Sequence, residues 1–293
     1  MEPIGALLAL LVVPGPSAVQ SPPATDIYVA VLHVRGGRVA VGAPVNATHR
    51  PGYDNQPFFA PDGRSVLYTS VAGGQADIWR YDIAAGRSVP LTTTPESEYS
   101  ATPLPDGSGF SVVRVEADST QRLWRFDWDG GHPTLILPGV KPVGYHAWGD
   151  ATTVALFVLG QPATLQIADI RTGTATLVAS DIGRSVQRVP GRPAISFVQK
   201  GADSVWSVAE LDLTTRRIRP LVRTLPGVDQ YTWTRESILL MSKGAKLYQW
   251  SPARGADWEE VADFTALGLE NITRLAVSPR GDRLALVAAD QAP

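Results

Sequence analysis

Few residues in this 293-residue chain have the type and spacing to do chemistry. There is no Cys, which excludes a thiol nucleophile, Cys-ligated zinc, iron–sulfur centres and a disulfide framework. The four His residues, His33, His49, His132 and His146, show neither H-x-H nor H-E-x-x-H spacing, so no His metal site is expected. Gly63-Arg64-Ser65, Gly86-Arg87-Ser88 and Gly183-Arg184-Ser185 begin like a nucleophile elbow, but none has the second Gly of G-x-S-x-G, and they read as turn exits. Asp127-Trp128-Asp129-Gly130 begins like a calcium loop without the later ligand positions, and reads as a turn. Asp54, Glu98 and His146 are candidate acid–base groups only if the fold brings them to one site.

The charge balance is 26 Lys+Arg against 28 Asp+Glu, a formal net charge of -2, which carries no electrostatic footprint for nucleic acid or an anionic membrane surface. Charged residues make up only 18% and apolar ones 44%, enough for a large core and incompatible with general disorder. The apolar run Ile4–Val13 is too short to span a bilayer, which needs about 20 residues. It fits the hydrophobic region of a secretory signal with small residues after it, although the preceding Met1-Glu2-Pro3 lacks a Lys or Arg. The expected organisation is a signal over residues 1–20, a linker over 21–25, one domain over 26–289 and a short tail over 290–293. No membrane span is expected in the mature chain, which should be periplasmic or secreted.

Positioning such residues requires an architecture, and the sequence supplies one by repetition. From Gln56 it reads as a short strand, a Pro61-Asp62-Gly63 turn, an alternating strand Ser65–Ser70, a Gly73-Gly74 connection, a strand Asp77–Ile83, a second turn and a last strand. The first turn recurs at Pro105, Asp150, Pro190, Arg235 and Pro279, about 44 residues apart. The third strand recurs too, closed by Asp82, Asp127, Asp169 and Asp212. The last repeat stops after one further strand, Asp282–Ala289, and Asp26–Leu32 with Arg38–Val41 resemble the missing third and fourth strands. The expected fold is therefore all-β: a six-bladed β-propeller of four-stranded antiparallel blades, its closing blade shared by the two chain ends.

The pattern Asp54-x-x-Pro57-x-Phe59-x-Pro61-Asp62-Gly63 followed by Ile78-Trp79 resembles the repeat of TolB-type, WD-like β-propellers of bacterial envelopes. Related repeats form the propeller of prolyl-oligopeptidase-like peptidases. Gly144-Tyr145-His146-Ala147-Trp148 and Ile182-Gly183-Arg184-Ser185 are similar to stretches of secreted members. In such rings the segment before each inner strand opens onto one mouth of the central channel, where side chains from several blades converge. Counting back from the turns gives Asp54, Gln56, Glu98, Ser100, Tyr145, His146, Arg184, Arg188, Gln230, Tyr231 and Arg274 as the candidate ligand-binding ring. No metal and no cofactor are expected. Two readings follow: a monomeric, non-enzymatic envelope module binding a protein, peptide or small ligand, or a carbohydrate-active or peptide hydrolase or lyase using Asp54, Glu98 or His146.

Overall fold

A computed structural model describes residues 22–201, 205–255 and 257–289. The expected signal over 1–20 and the tail over 290–293 lie outside these residues. The described chain is a ring of six antiparallel sheets. Blade 1 comprises Asp54–Phe59, Ser65–Ala72, Gln75–Asp82 and Arg87–Pro90 from channel to rim, and blade 2 Ser97–Pro103, Gly109–Val115, Gln121–Asp127 and Thr134–Leu135. Blades 3, 4 and 5 begin with the inner strands Val143–Trp148, Ile182–Arg188 and Tyr231–Trp233 and repeat the same order.

The recurring sequence features have local physical causes. In the first turn of blade 1, Asp62 accepts a hydrogen bond from Arg64 N–H at 2.9 Å while Gly63 adopts φ +67°, a left-handed conformation that glycine tolerates without strain. The Asp residues that close third strands do similar work at the outer turn. Asp82 accepts from Ala85 N–H, Asp169 from Arg171 N–H, and Asp212 from both Thr214 and Thr215 N–H. Asp127-Trp128-Asp129-Gly130 is likewise such a turn, with Asp129 accepting from Gly131 N–H.

Blade 6 joins the two ends of the chain. Its inner strands are Arg274–Val277 and Arg283–Ala289, and its third is the N-terminal Thr25–Arg35. The pairing runs antiparallel from Thr25 opposite Ala289 to Val31 opposite Arg283. The outer position is split between Val45–Asn46, which pairs with the first part of Thr25–Arg35, and Arg38–Val41, which pairs with the last part. Asn46 and Thr48 donate to the buried Asp26 carboxylate, tying this outer segment down.

Among the described residues, the buried apolar side chains fall into six clusters, one at each seam between neighbouring blades. The closing blade feeds two of them. Ile27, Val29, Ala285 and Val287 pack against blade 1, and Tyr28, Leu32, Leu284 and Leu286 against blade 5. The alternation of its strands thus serves both seams, as pleated strands buried on both faces require.

Candidate functional site

The inner strands of all six blades surround one cavity of about 410 Å³, in the size range of small-molecule sites. Of the eleven residues expected from sequence, Gln56, Ser100, Tyr145, His146, Arg184, Arg188, Gln230 and Arg274 line it. Asp54, Glu98 and Tyr231 do not. Among the described residues no carboxylate contributes to the lining, whereas three arginines do.

The inner strands of blades 1 to 4 are bulged, and the bulges aim the mouth side chains. In blade 1 the register slips between Asn55 and Phe58 with Gln56 at φ +57°, and in blade 2 between Tyr99 and Thr102 with Ser100 at φ +57°. Left-handed backbone at a non-glycine residue costs on the order of 1–3 kcal/mol and persists only where neighbours hold it. Here one atom holds both bulges: Gln56 Oε1 accepts from Ser100 N–H at 2.8 Å, Ser100 Oγ at 3.0 Å and Thr69 Oγ1 at 2.9 Å. The mouth is thereby self-satisfied on the side of blades 1 and 2.

The opposite side is different. Arg274 of blade 6 donates through Nη2 to Tyr145 Oη of blade 3 at 2.8 Å, and its guanidinium lies 4.9 Å from the Tyr145 ring centre. Arg184 of blade 4 grips Asp229 through Nε and Nη2, each at 3.1 Å. Burial would raise the Asp229 carboxyl, but the Arg184 hydrogen bonds and charge hold it below its usual value, so it is ionised. Gly183 permits this approach, because a methyl group there would lie 2.9 Å from Asp229 Cβ. The Gln230 carboxamide nitrogen, from blade 5, is buried without a partner. Two tyrosines that the sequence does not mark lie back on the side of blades 1 and 2: Tyr53, whose hydroxyl accepts from Gln56 Nε2 at 3.4 Å, and Tyr99 of the blade 2 inner strand. Burial pushes the Tyr53 phenol up to about 12, and Arg274, Tyr145, Tyr99 and Arg184 all act on it electrostatically.

Arg188 occupies the other end of the inner strand Ile182–Arg188, about 13 Å from Arg184 at 3.3 Å per residue. It therefore lines the far part of the cavity and not the mouth formed by the strand starts.

The three candidate acid–base groups are built into seams and blade interiors. Asp54 is fully buried and accepts from Arg50 at 2.8 Å and Ser70 Oγ at 2.6 Å. Glu98, its counterpart one repeat later, is fully buried against Thr94 and Arg114. Burial pushes Glu98 up to about 7, with Thr94, Thr92 and Arg114 opposing the rise. His146 reaches the cavity but is only 7% exposed, and burial holds it down at about 3, so its ring is neutral. Its Nε2 lies 2.7 Å from Ser111 Oγ, which also accepts from Trp148 Nε1 at 2.9 Å. The same clasp recurs at the next-but-one seam: Ser196 Oγ accepts from Tyr231 Oη and Trp233 Nε1, each at 2.8 Å. Where one clasp uses His, the other uses Tyr, so its common role is to lock the second strand of one blade to the inner strand of the next. Among the described residues no three His, Asp or Glu side chains converge to hold a metal ion, and no helix is long and apolar enough to cross a membrane.

Known proteins share this architecture. No established family profile matches the chain. An uncharacterized protein of Agrobacterium fabrum is 28% identical over 103 residues, covering 33% of this chain and 35% of that protein, so the match spans about a third of the relative. Among solved structures, a protein of Agrobacterium tumefaciens described as TolB superposes with a TM-score of 0.69 at 16% identity, covering 90% of this chain and 98% of that one. TolB from Acinetobacter baumannii gives a TM-score of 0.58 at 13% identity, covering 91% and 64% respectively. An oligogalacturonate lyase in complex with manganese gives 0.57 at 15% identity, covering 84% and 79%. The fold is thus that of TolB-like β-propellers, and it is shared by a lyase.

Proposed function

We propose that this chain is an exported, non-enzymatic β-propeller that binds a protein, peptide or small ligand at the mouth formed by the inner-strand starts. One observation carries the reading: Tyr145, Arg184, Gln230 and Arg274, from four successive blades, meet at one side of a cavity whose framework is locked by interblade clasps. Rigid walls with convergent polar groups are what a binding site needs, because little ordering entropy is lost when the ligand arrives. The TolB-like fold supports a protein or peptide partner, and the apolar run Ile4–Val13 supports export to the periplasm or medium. Affinity recovery from a periplasmic extract, comparing wild type with a Tyr145/Arg184/Arg274 triple Ala variant, tests it. The variant is expected to lose its partner; equal recovery of every protein and small molecule overturns binding at this mouth.

A second reading, hydrolysis or elimination on a carbohydrate or peptide, draws on the fold shared with oligogalacturonate lyase and on His146 at the cavity wall. Against it, Asp54 and Glu98 lie off the cavity, and His146 occupies a clasp position filled elsewhere by Tyr231. Ultraviolet absorbance of unsaturated product from oligogalacturonates is the direct assay, and turnover there would favour this reading over simple binding.

A further inference from the structure

The geometry points to a carboxylate as the group the mouth takes, held between Arg274, Tyr145 and Gln230 with Arg184 alongside; this deepens the binding reading above and rests on it.

Tyr145 Oη already accepts from Arg274, so its own hydroxyl proton is available to donate. The guanidinium of Arg274 has further N–H groups and no carboxylate partner among the ion pairs of the described residues. The Gln230 amide nitrogen is a buried donor with nothing to donate to. An unpaired buried donor is costly, and a bound acceptor would remove that cost. On the opposite wall the acceptor Gln56 Oε1 is saturated by three donors. What the mouth lacks is an acceptor.

Arg184 and Arg274 bring two positive charges, and Asp229, held ionised by Arg184, cancels one. The residual single charge matches a monoanion such as a carboxylate better than a phosphate dianion. Among the described residues no acidic side chain lines the cavity to repel it, and low-dielectric walls concentrate the field of the arginines. Arg–carboxylate hydrogen bonds are among the stronger ones available to a protein.

A carboxylate of this kind is carried both by acidic peptides and by uronic acid sugars, and the experiment separates them. Trp148 and Trp233 line the same cavity, so intrinsic fluorescence reports occupancy. The full chain is titrated with tri-glutamate, tri-glutamine and trigalacturonate. At least one anionic probe is expected to bind about tenfold or more tighter than tri-glutamine, the worth of one charged hydrogen bond. Affinity should fall as salt is raised. Arg274→Gln should lose about tenfold and Arg274→Lys should recover part of it, whereas Arg188→Gln at the far end should change affinity by less than about twofold. Preference for one anionic probe over the other identifies the source as peptide or sugar. Equal binding of tri-glutamate and tri-glutamine, both lost in Tyr145→Ala, overturns the carboxylate while leaving a binding mouth. If no probe binds, the carboxylate falls; if the triple Ala variant also recovers every partner, the binding reading falls with it.

Discussion

At the scale of single residues, the repeat supplies internal controls that isolated inspection would not. Ser111–His146–Trp148 and Ser196–Tyr231–Trp233 are the same clasp at two seams, with identical spacing in the chain. His146→Ala is expected to destabilise the fold by about 2 kcal/mol, from a lost hydrogen bond and a small cavity, and His146→Tyr by less. Chemical denaturation checks the order; a Tyr variant as unstable as the Ala variant would break the equivalence. Because burial holds His146 near 3, below its unfolded value of 6.5, its stabilising share is complete above about 6.5 and is lost as pH falls through about 3. Glu98 works in the opposite sense. Its folded value near 7 exceeds the ordinary 4.5, so its share is complete below about 4.5 and lost as pH rises through about 7. Glu98→Gln should therefore flatten the fall in melting temperature between these values and stabilise the protein at pH 8, on the order of 2 kcal/mol after solvent screening. A wild-type pH profile reproduced unchanged by Glu98→Gln would show that the buried carboxyl is ionised at no cost.

At the scale of strands, the turns and strand types were legible because they depend on local chemistry. Pro-Asp-Gly and the Asp at the end of third strands announce hydrogen-bonded turns, and half-repeats at the two ends announced the shared blade. The facing of the acids was not legible. Period-two alternation puts Asp54 and Gln56 on one face, but the bulge between Asn55 and Phe58 breaks the alternation, turning Asp54 into the blade and leaving Gln56 at the cavity. Nothing in composition marks such a bulge at Gln or Ser. Arg188 is a related case: its proximity in sequence to Arg184 hides a separation of most of a strand length. Tyr53, Tyr99 and Asp229 gave no signal except their neighbourhood. The shared blade yields a strand-level prediction. Deleting residues 26–41 strips Ile27, Val29, Tyr28 and Leu32 from two seams at once and exposes the edge of Arg283–Ala289. Loss of cooperative thermal unfolding or of solubility is expected; a melt like wild type would mean that the ring does not need its closing strands.

At the scale of the whole molecule, a chain with net charge -2 presents a cavity lined, among the described residues, by three arginines and no acids. The balancing carboxylates are sequestered in blades, seams and outer turns, as with Asp54, Glu98 and Asp212. Such separation leaves a local positive field inside a nearly neutral particle, which draws anions inward without coating the exterior in charge. Bulk composition therefore excluded a nucleic-acid surface but concealed the polarity of the channel.

The pairing of Thr25 with Ala289 has one more consequence: the ring has no privileged beginning. Opposed residues in an antiparallel ladder sit about 5 Å apart, so a few flexible residues could join these two positions directly. New ends could then be opened at the outer turn of blade 1, between Ala84 and Ala85, where the backbone is exposed at a loop tip. Such a circular permutant, lacking residues outside 25–289, is expected to unfold within a few degrees of wild type and to keep the ligand preference of the parent. A permutant that folds poorly would show that the order in which the blades are made matters as much as the closed circle they form.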